Sequence, residues 1–114
     1  MSQDCLFCKI VKNELPSEKV YEDDLVLAFN DIAPQAPVHV VIIPKAHYES
    51  ILSISAGDEI IGHIHSVANR IALKLGIADS GFRLVNNCGK DGNQTVPHLH
   101  YHLLGGRPML WPPG

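Results

Sequence analysis

The sequence predicts an α+β domain: an antiparallel sheet of about five strands, with one long and one short helix on one side of it. Three observations predict it. Residues 38–44 read VHVVIIP, a β-branched run that suits a buried strand and stops at a proline. Within residues 55–75, Ile60, Ile64, Val67, Ile71 and Leu75 recur at helical spacing. Residues 97–106 read PHLHYHLLGG, with His98, His100 and His102 at every second position. That is the period at which strand side chains return to one face, and it puts Leu99, Tyr101 and Leu103 on the other.

The remaining elements follow in chain order. CLFCKIVKNELP, starting at Cys5, reads as a short helix ended by Pro16. KVYEDDLVLAFND reads as a β-hairpin: Val20 and Tyr21 lead in, Glu22–Asp24 turn, and Leu25–Phe29 return. APQAP is a rigid turn. The long helix has Ser55 as its cap, Asp58 and Glu59 in its first turn, and Gly76 as its stop. Leu73 falls on its polar face and could mark a subunit contact. FRLVNN, residues 82–87, is a strand. CGKDGNQT, residues 88–95, is a glycine-containing polar loop, and residues 105–114 form an irregular tail. The chain, 1–114, reads as a single domain.

Composition narrows the function. Of 114 residues, 46% are hydrophobic and 18% charged, enough apolar content to build a core. A net charge of −3 gives no basic footprint, which argues against a nucleic-acid polymer as partner. No apolar run reaches membrane-span length and the N-terminal residues lack a signal-peptide pattern, so the expectation is a soluble cytoplasmic protein with no membrane partner. Cys5 and Cys8 form a C-x-x-C and Cys88 stands alone. The odd count argues against a disulfide framework. A structural metal site fits better, but needs two more ligands.

The histidine row admits three readings from its residues alone. It could be the polar face of an edge strand. It could be a three-histidine metal site, although a straight row spans about 13 Å and cannot close on one ion. Or the middle imidazole does chemistry while its neighbours assist, since neutral histidine is nucleophilic near pH 7 and its two nitrogens can take separate jobs. The preceding loop holds Gly89, Gly92, Asn93, Gln94 and Thr95. Its backbone N–H groups and small polar side chains could cradle a phosphate. An imidazole beside such a cradle suggests attack at phosphorus.

His98-Leu99-His100-Tyr101-His102-Leu103-Leu104 matches the His-φ-His-φ-His-φ-φ signature of the histidine triad (HIT) superfamily. YEDDLVLAFNDIAPQAPVHVVIIPKAH and DGNQTVPHLHYHLLGGRPMLWPPG both resemble its Hint branch, the nucleoside phosphoramidate hydrolases. The resemblance implies a HIT-like α+β fold that pairs through the long helix and a strand into a homodimer with one continuous sheet. It implies hydrolysis of the P–N bond of purine nucleoside 5'-phosphoramidates and related adenylates, with AMP as a ligand. His100 would attack the α-phosphorus to give a nucleotidyl-histidine, and His102 would bind the phosphate oxygens. His39 would orient His100 and help manage its proton. Asn87 and Thr95 would line the phosphate and leaving-group site.

Leu6, Phe7, Ile10, Phe29 and Ile32 would form the base slot, with Asn30 at its edge and Asp31 on the ribose. The NDI of residues 30–32 departs from the commoner HDI or RDI and leaves base preference open. Trp111 would reach toward the other subunit's site. Some superfamily members hold structural zinc with the equivalents of Cys5, Cys8, His47 and His98; no catalytic metal is required. The alternatives are a dinucleoside polyphosphate hydrolase, as in the Fhit-like branch, and a non-catalytic nucleotide-binding scaffold. The unperturbed histidine pKa sets an expected loss of activity below about pH 6.

Overall fold

The strands form where β-branched and aromatic residues alternate between two buried faces. The computed structural model describes residues 4–114. The helix α1 (Leu6–Val11) is followed by β1 (Lys19–Glu22), β2 (Val26–Asn30) and β3 (Val38–Pro44). A 3-10 turn at Ile51–Ser53, α2 (Ile60–Lys74), β4 (Phe82–Asn86) and β5 (Tyr101–Gly105) complete the chain. The five strands make one antiparallel sheet in the order β1-β2-β3-β5-β4. The α+β class and the strand count agree with the sequence expectation.

Alternation along the central strands builds two cores rather than one. Val26, Ala28, Val40, Ile42, Leu99, Tyr101 and Leu103 pack with Ile64, Val67, Ala68 and Ile71 of α2. Leu27, Phe29, Val41 and Ile43 point to the opposite face and pack with Cys5, Phe7, Cys8 and Ile10 at α1. The helices therefore cover both faces, not the single face expected. The sheet's centre is apolar on both sides, so it needs a cover on each.

Local boundaries differ from the sequence reading in three places. The α1 helix ends at Val11, capped by Lys12, well before Pro16. Asn13 takes the left-handed conformation (φ 61°), and the Glu14 N–H donates to the Lys9 carbonyl, a Schellman closure that asparagine tolerates. The β1–β2 turn is tied by Asp23, whose carboxylate accepts from the Leu25 and Val26 N–H groups, the Tyr21 hydroxyl and His63. Burial opposes its ionisation, but these donors hold it well below the usual carboxylate range.

The α2 helix starts at Ile60, and Ser55 does not cap it. Asp58 accepts from the Ile60 N–H at 2.9 Å instead. Its C-terminus closes as expected: Gly76 has φ 76°, and the Ile77 N–H donates to the Ala72 carbonyl. Finally, regular pairing of the histidine segment begins only at Tyr101, so His98 and His100 precede β5; His98 sits in a bend, and the Leu99 N–H donates to the Tyr48 carbonyl. The predicted separation of faces survives: Leu99, Tyr101 and Leu103 enter the α2 core.

Candidate active site

On the α1 face of the sheet, β3 and β5 set two imidazoles side by side. The register pairs Val41 with His102 and His39 with Leu104, so His39 and His102 are diagonal neighbours on one face. The Gln35 N–H donates to His39 Nδ1 at 3.0 Å. His39 must then carry its proton on Nε2, which lies 2.8 Å from His102 Nδ1 and donates to it. His102 is left with its proton on Nε2. Asp31 Oδ2 stands 3.4 Å from His39 Nε2, while Asp31 Oδ1 accepts from the Ala33 N–H.

His100 is held differently. Its Nδ1 lies 2.7 Å from the His98 carbonyl and must donate to it, which leaves the lone pair on Nε2. No buried side-chain nitrogen or oxygen lacks a partner among the described residues. His100 Nε2 has no hydrogen-bond partner among the described residues, so it is not sealed off from solvent. Phe7 packs edge-on against the ring at 5.0 Å, and Asn86 Nδ2 donates to the His100 carbonyl. His39 therefore does not orient His100, contrary to expectation. The carbonyl of His98 does, and His39 serves His102. The cause is register: β5 brings His102, not His100, beside His39.

Burial disfavours the charged imidazolium at all three positions. It lowers the pKa of His39 and His100 and pushes His102 down to about 4. The nearby Asp31 carboxylate pulls in the other direction but does not win. Burial thus favours the neutral ring at all three positions, in keeping with the tautomers above.

Of these rings, His100 and His102 open on a cavity of about 210 Å3 lined also by Leu6, Phe7, Phe29, Asp31, Ile32, Val41, Thr95 and Val96. Its walls are chiefly apolar, with Asp31, Thr95, His100 and His102 as the polar members. Val41 and Val96 were not anticipated; inward alternation along β3 is the one signal that could have found Val41. Ile10 lies outside the lining, in the core beside α1. Asn30 points to Glu18 and donates to its carboxylate. Asn87 donates to the Gly92 carbonyl and braces the loop that carries Thr95. Two larger hollows, about 780 Å3 beside Lys45 and His63 and about 670 Å3 beside Cys88, are more open and more polar. Neither faces the triad.

Behind the cavity, Cys5, Cys8, His47 and His98 bring four ligand atoms within 4.8 Å of one another. The Cys5 Sγ–His98 Nδ1, Cys8 Sγ–His47 Nδ1 and His47 Nδ1–His98 Nδ1 separations are 3.2, 3.3 and 3.1 Å. Ligands at tetrahedral zinc bond lengths sit about 3.3 Å apart for two nitrogens and about 3.5 Å for nitrogen and sulfur. The cluster has nearly those spacings. His98 Nε2 donates to the Pro44 carbonyl at 2.9 Å, which frees Nδ1 as a ligand. Burial and the neighbouring Cys5 push the Cys8 thiol up to about 11, so it holds its proton unless a cation displaces it. These residues could hold a metal ion.

An imidazole with one nitrogen anchored and the other without a partner, a second imidazole able to donate and a mostly apolar slot are an arrangement that could support nucleophilic chemistry on a bound anion. Residues 12–109 match the HIT domain family model, and the chain belongs to that family. Within it, the chain is 47% identical over 110 residues to the purine nucleoside phosphoramidase of Escherichia coli, covering 96% of this chain and 92% of that one. It is 50% identical over its full length to an uncharacterized HIT-like protein of Synechococcus elongatus, which it also covers completely. A HIT family hydrolase from Legionella pneumophila superposes with a TM-score of 0.95 at 48% identity, over 97% of this chain and all of that one. A histidine triad protein from Clostridium difficile gives 0.91 at 54% identity, over 94% of each chain.

Proposed function

We propose that the protein hydrolyses the P–N bond of purine nucleoside 5'-phosphoramidates and related adenylates through a nucleotidyl-histidine. One observation carries this reading: His100 has Nδ1 anchored on a carbonyl and Nε2 free at the cavity. The similarity to the Escherichia coli phosphoramidase supports it. Nε2 attacks the α-phosphorus, a P–N(imidazole) bond forms and the P–N(amine) bond breaks. The amine leaves after gaining a proton, for which the Thr95 hydroxyl at the cavity offers a path. Water then attacks the same phosphorus, gives up a proton that balances the one taken by the amine, releases the nucleoside monophosphate and returns the lone pair to Nε2. The His102 Nε2–H donates to the charge that develops on the phosphate oxygens, fixed in place by His39.

Leu6, Phe7, Phe29 and Ile32 hold the base and Asp31 accepts from the ribose. The cavity is smaller than the roughly 300–1,000 Å3 of whole-ligand sites. It houses part of a nucleotide, and the leaving group stays outside. Zinc in the Cys5, Cys8, His47, His98 set would be structural, tying α1 to the sheet; when bound it supplies charge and rigidity and takes no part at phosphorus. Its thiolates need a reducing compartment, which supports a cytoplasmic location. A homodimer would join through β4, an edge strand with Phe82 part-exposed, and through the α2 face that exposes Leu73. Trp111, at 82% exposure, would then reach the partner's site.

The test is a phosphoramidate of adenosine compared with a diadenosine polyphosphate, together with mass analysis of the quenched enzyme. Faster turnover of the phosphoramidate, with a nucleotidyl adduct on His100, is the expected result. Preference for the polyphosphate would make this a different hydrolase, and tight AMP binding without turnover would make it a binding module.

A further inference from the structure

The cysteine–histidine cluster and the cavity share parts of the chain. His98 places its ring in the cluster, where Nδ1 stands 3.2 Å from Cys5 Sγ. Its own carbonyl accepts from His100 Nδ1 at 2.7 Å, the contact that leaves Nε2 as the nucleophile. Cys5 and Cys8 bracket Leu6 and Phe7, both of which line the cavity. Phe7 stacks edge-on against both His98, at 5.9 Å, and His100, at 5.0 Å. Cys5 also caps α1, its Sγ accepting from the Cys8 N–H. A helix of six residues is too short to hold its place by its own hydrogen bonds. Its position rests on what its side chains grip.

We propose that a cation in this cluster positions the nucleophile: by fixing His98 and α1 together, it sets the tautomer and aim of His100 and the wall made by Leu6 and Phe7. His98 and Phe7 are thus positioning residues for His100. The proposal rests on the phosphoramidate reading for its consequence in turnover, but not for its structural content. An unclamped α1 lets Phe7 leave the His100 ring, and the His98 carbonyl is no longer held by a ring locked between Cys5 and Pro44. The aim of Nε2 is then lost, with a penalty typical of sub-ångström to ångström misplacement, about 100-fold in kcat/KM. The apolar wall is lost with it, weakening AMP binding about tenfold.

His47→Ala is the informative variant, because His47 is exposed and touches neither Phe7 nor His100. Reduced full-length protein is loaded with zinc, or stripped by a chelator, and AMP affinity is measured by calorimetry. In parallel, nitrogen-15 NMR of the histidine rings reads the His100 tautomer. Zinc-loaded wild type is expected to show a single Nδ1–H tautomer at His100. Stripping, or His47→Ala, is expected to give a mixture of tautomers and weaker AMP binding, and zinc restores the wild type only. An unchanged tautomer after stripping overturns the proposal, as does failure of the reduced protein to take up zinc. If loaded protein binds no AMP, the phosphoramidate reading falls, while the tautomer measurement still decides the coupling.

Discussion

Replacing His100 by asparagine removes the nucleophilic Nε2 while keeping an N–H that can reach the His98 carbonyl. Turnover of an adenosine phosphoramidate should fall roughly ten-thousand-fold, with AMP affinity retained. Substantial hydrolysis by His100→Asn or His100→Ala would remove the nucleophile from this position. His39 and His102 carry a separate prediction about stability and pH. Both have pKa values lowered by burial, His102 to about 4. The unfolded chain therefore binds more protons than the folded one between about pH 6.5 and 4, so stability rises with pH across that window and is lost as pH falls. Denaturation midpoints from pH 7 to 4.5 should decline, and the decline should be shallower in His102→Gln. A parallel decline in that variant would show that other groups carry it. The same burial moves the acid loss of activity below the pH 6 expected from an unperturbed imidazole.

At the level of elements, the loop between β4 and β5 depends on one close approach. A Cβ on Gly92 would sit 2.3 Å from the Cys88 carbonyl oxygen, which is backbone and cannot swing aside. The loop is also pinned by Asn87 on the Gly92 carbonyl and by Gln94 on the Glu49 and Val96 carbonyls. Gly92→Ala should therefore distort the loop that carries Thr95 and raise KM for the phosphoramidate by about tenfold. Unaltered kinetics would mean the loop relaxes freely. At the end of α1, Asn13→Ala should cost about 1 kcal/mol, the penalty of a left-handed backbone for an alanine, and Asn13→Gly should cost little or nothing. Urea titration of the two variants distinguishes this conformational effect from loss of the exposed Lys19–Asn13 contact, which both variants share.

For the whole molecule, the sheet has one wrapped centre and two edges, β1 and β4. If β4 and α2 form the subunit contact, Leu73→Asp should shift the protein from twice the chain mass toward the monomer in sedimentation, without unfolding it. Leu73 is 72% exposed and contributes little to the fold of one chain. A wild-type monomer at micromolar concentration would remove the dimer. A metal ion held by Cys5, Cys8, His47 and His98 would tie α1 to the far end of β3, so chelation under reducing conditions should lower the melting temperature by roughly 10 °C. An unchanged midpoint would mean that the cluster holds no stabilising ion.

Much of this was legible in residue order. Alternation in VHVVIIP and in LHYHLL settled which side chains share a face, because strand geometry has a period of two whatever the neighbours are. The spacing from Ile60 to Ile71 settled the long helix for the same kind of reason. Its start was not legible, since Ser55 and Asp58 can both accept from a helix N-terminus, and only the path of the preceding turn put the Asp58 carboxylate on the Ile60 N–H. That α1 covers the opposite face also lay beyond the sequence, because six residues carry too little periodicity to state what they pack on. The sequence by itself determined the sheet, the long helix and the presence of three imidazoles on one face. Only the tertiary structure decided that His39 serves His102, because strand register is a long-range contact that no local spacing encodes, and that the backbone ahead of β5 turns the His98 carbonyl onto His100 Nδ1.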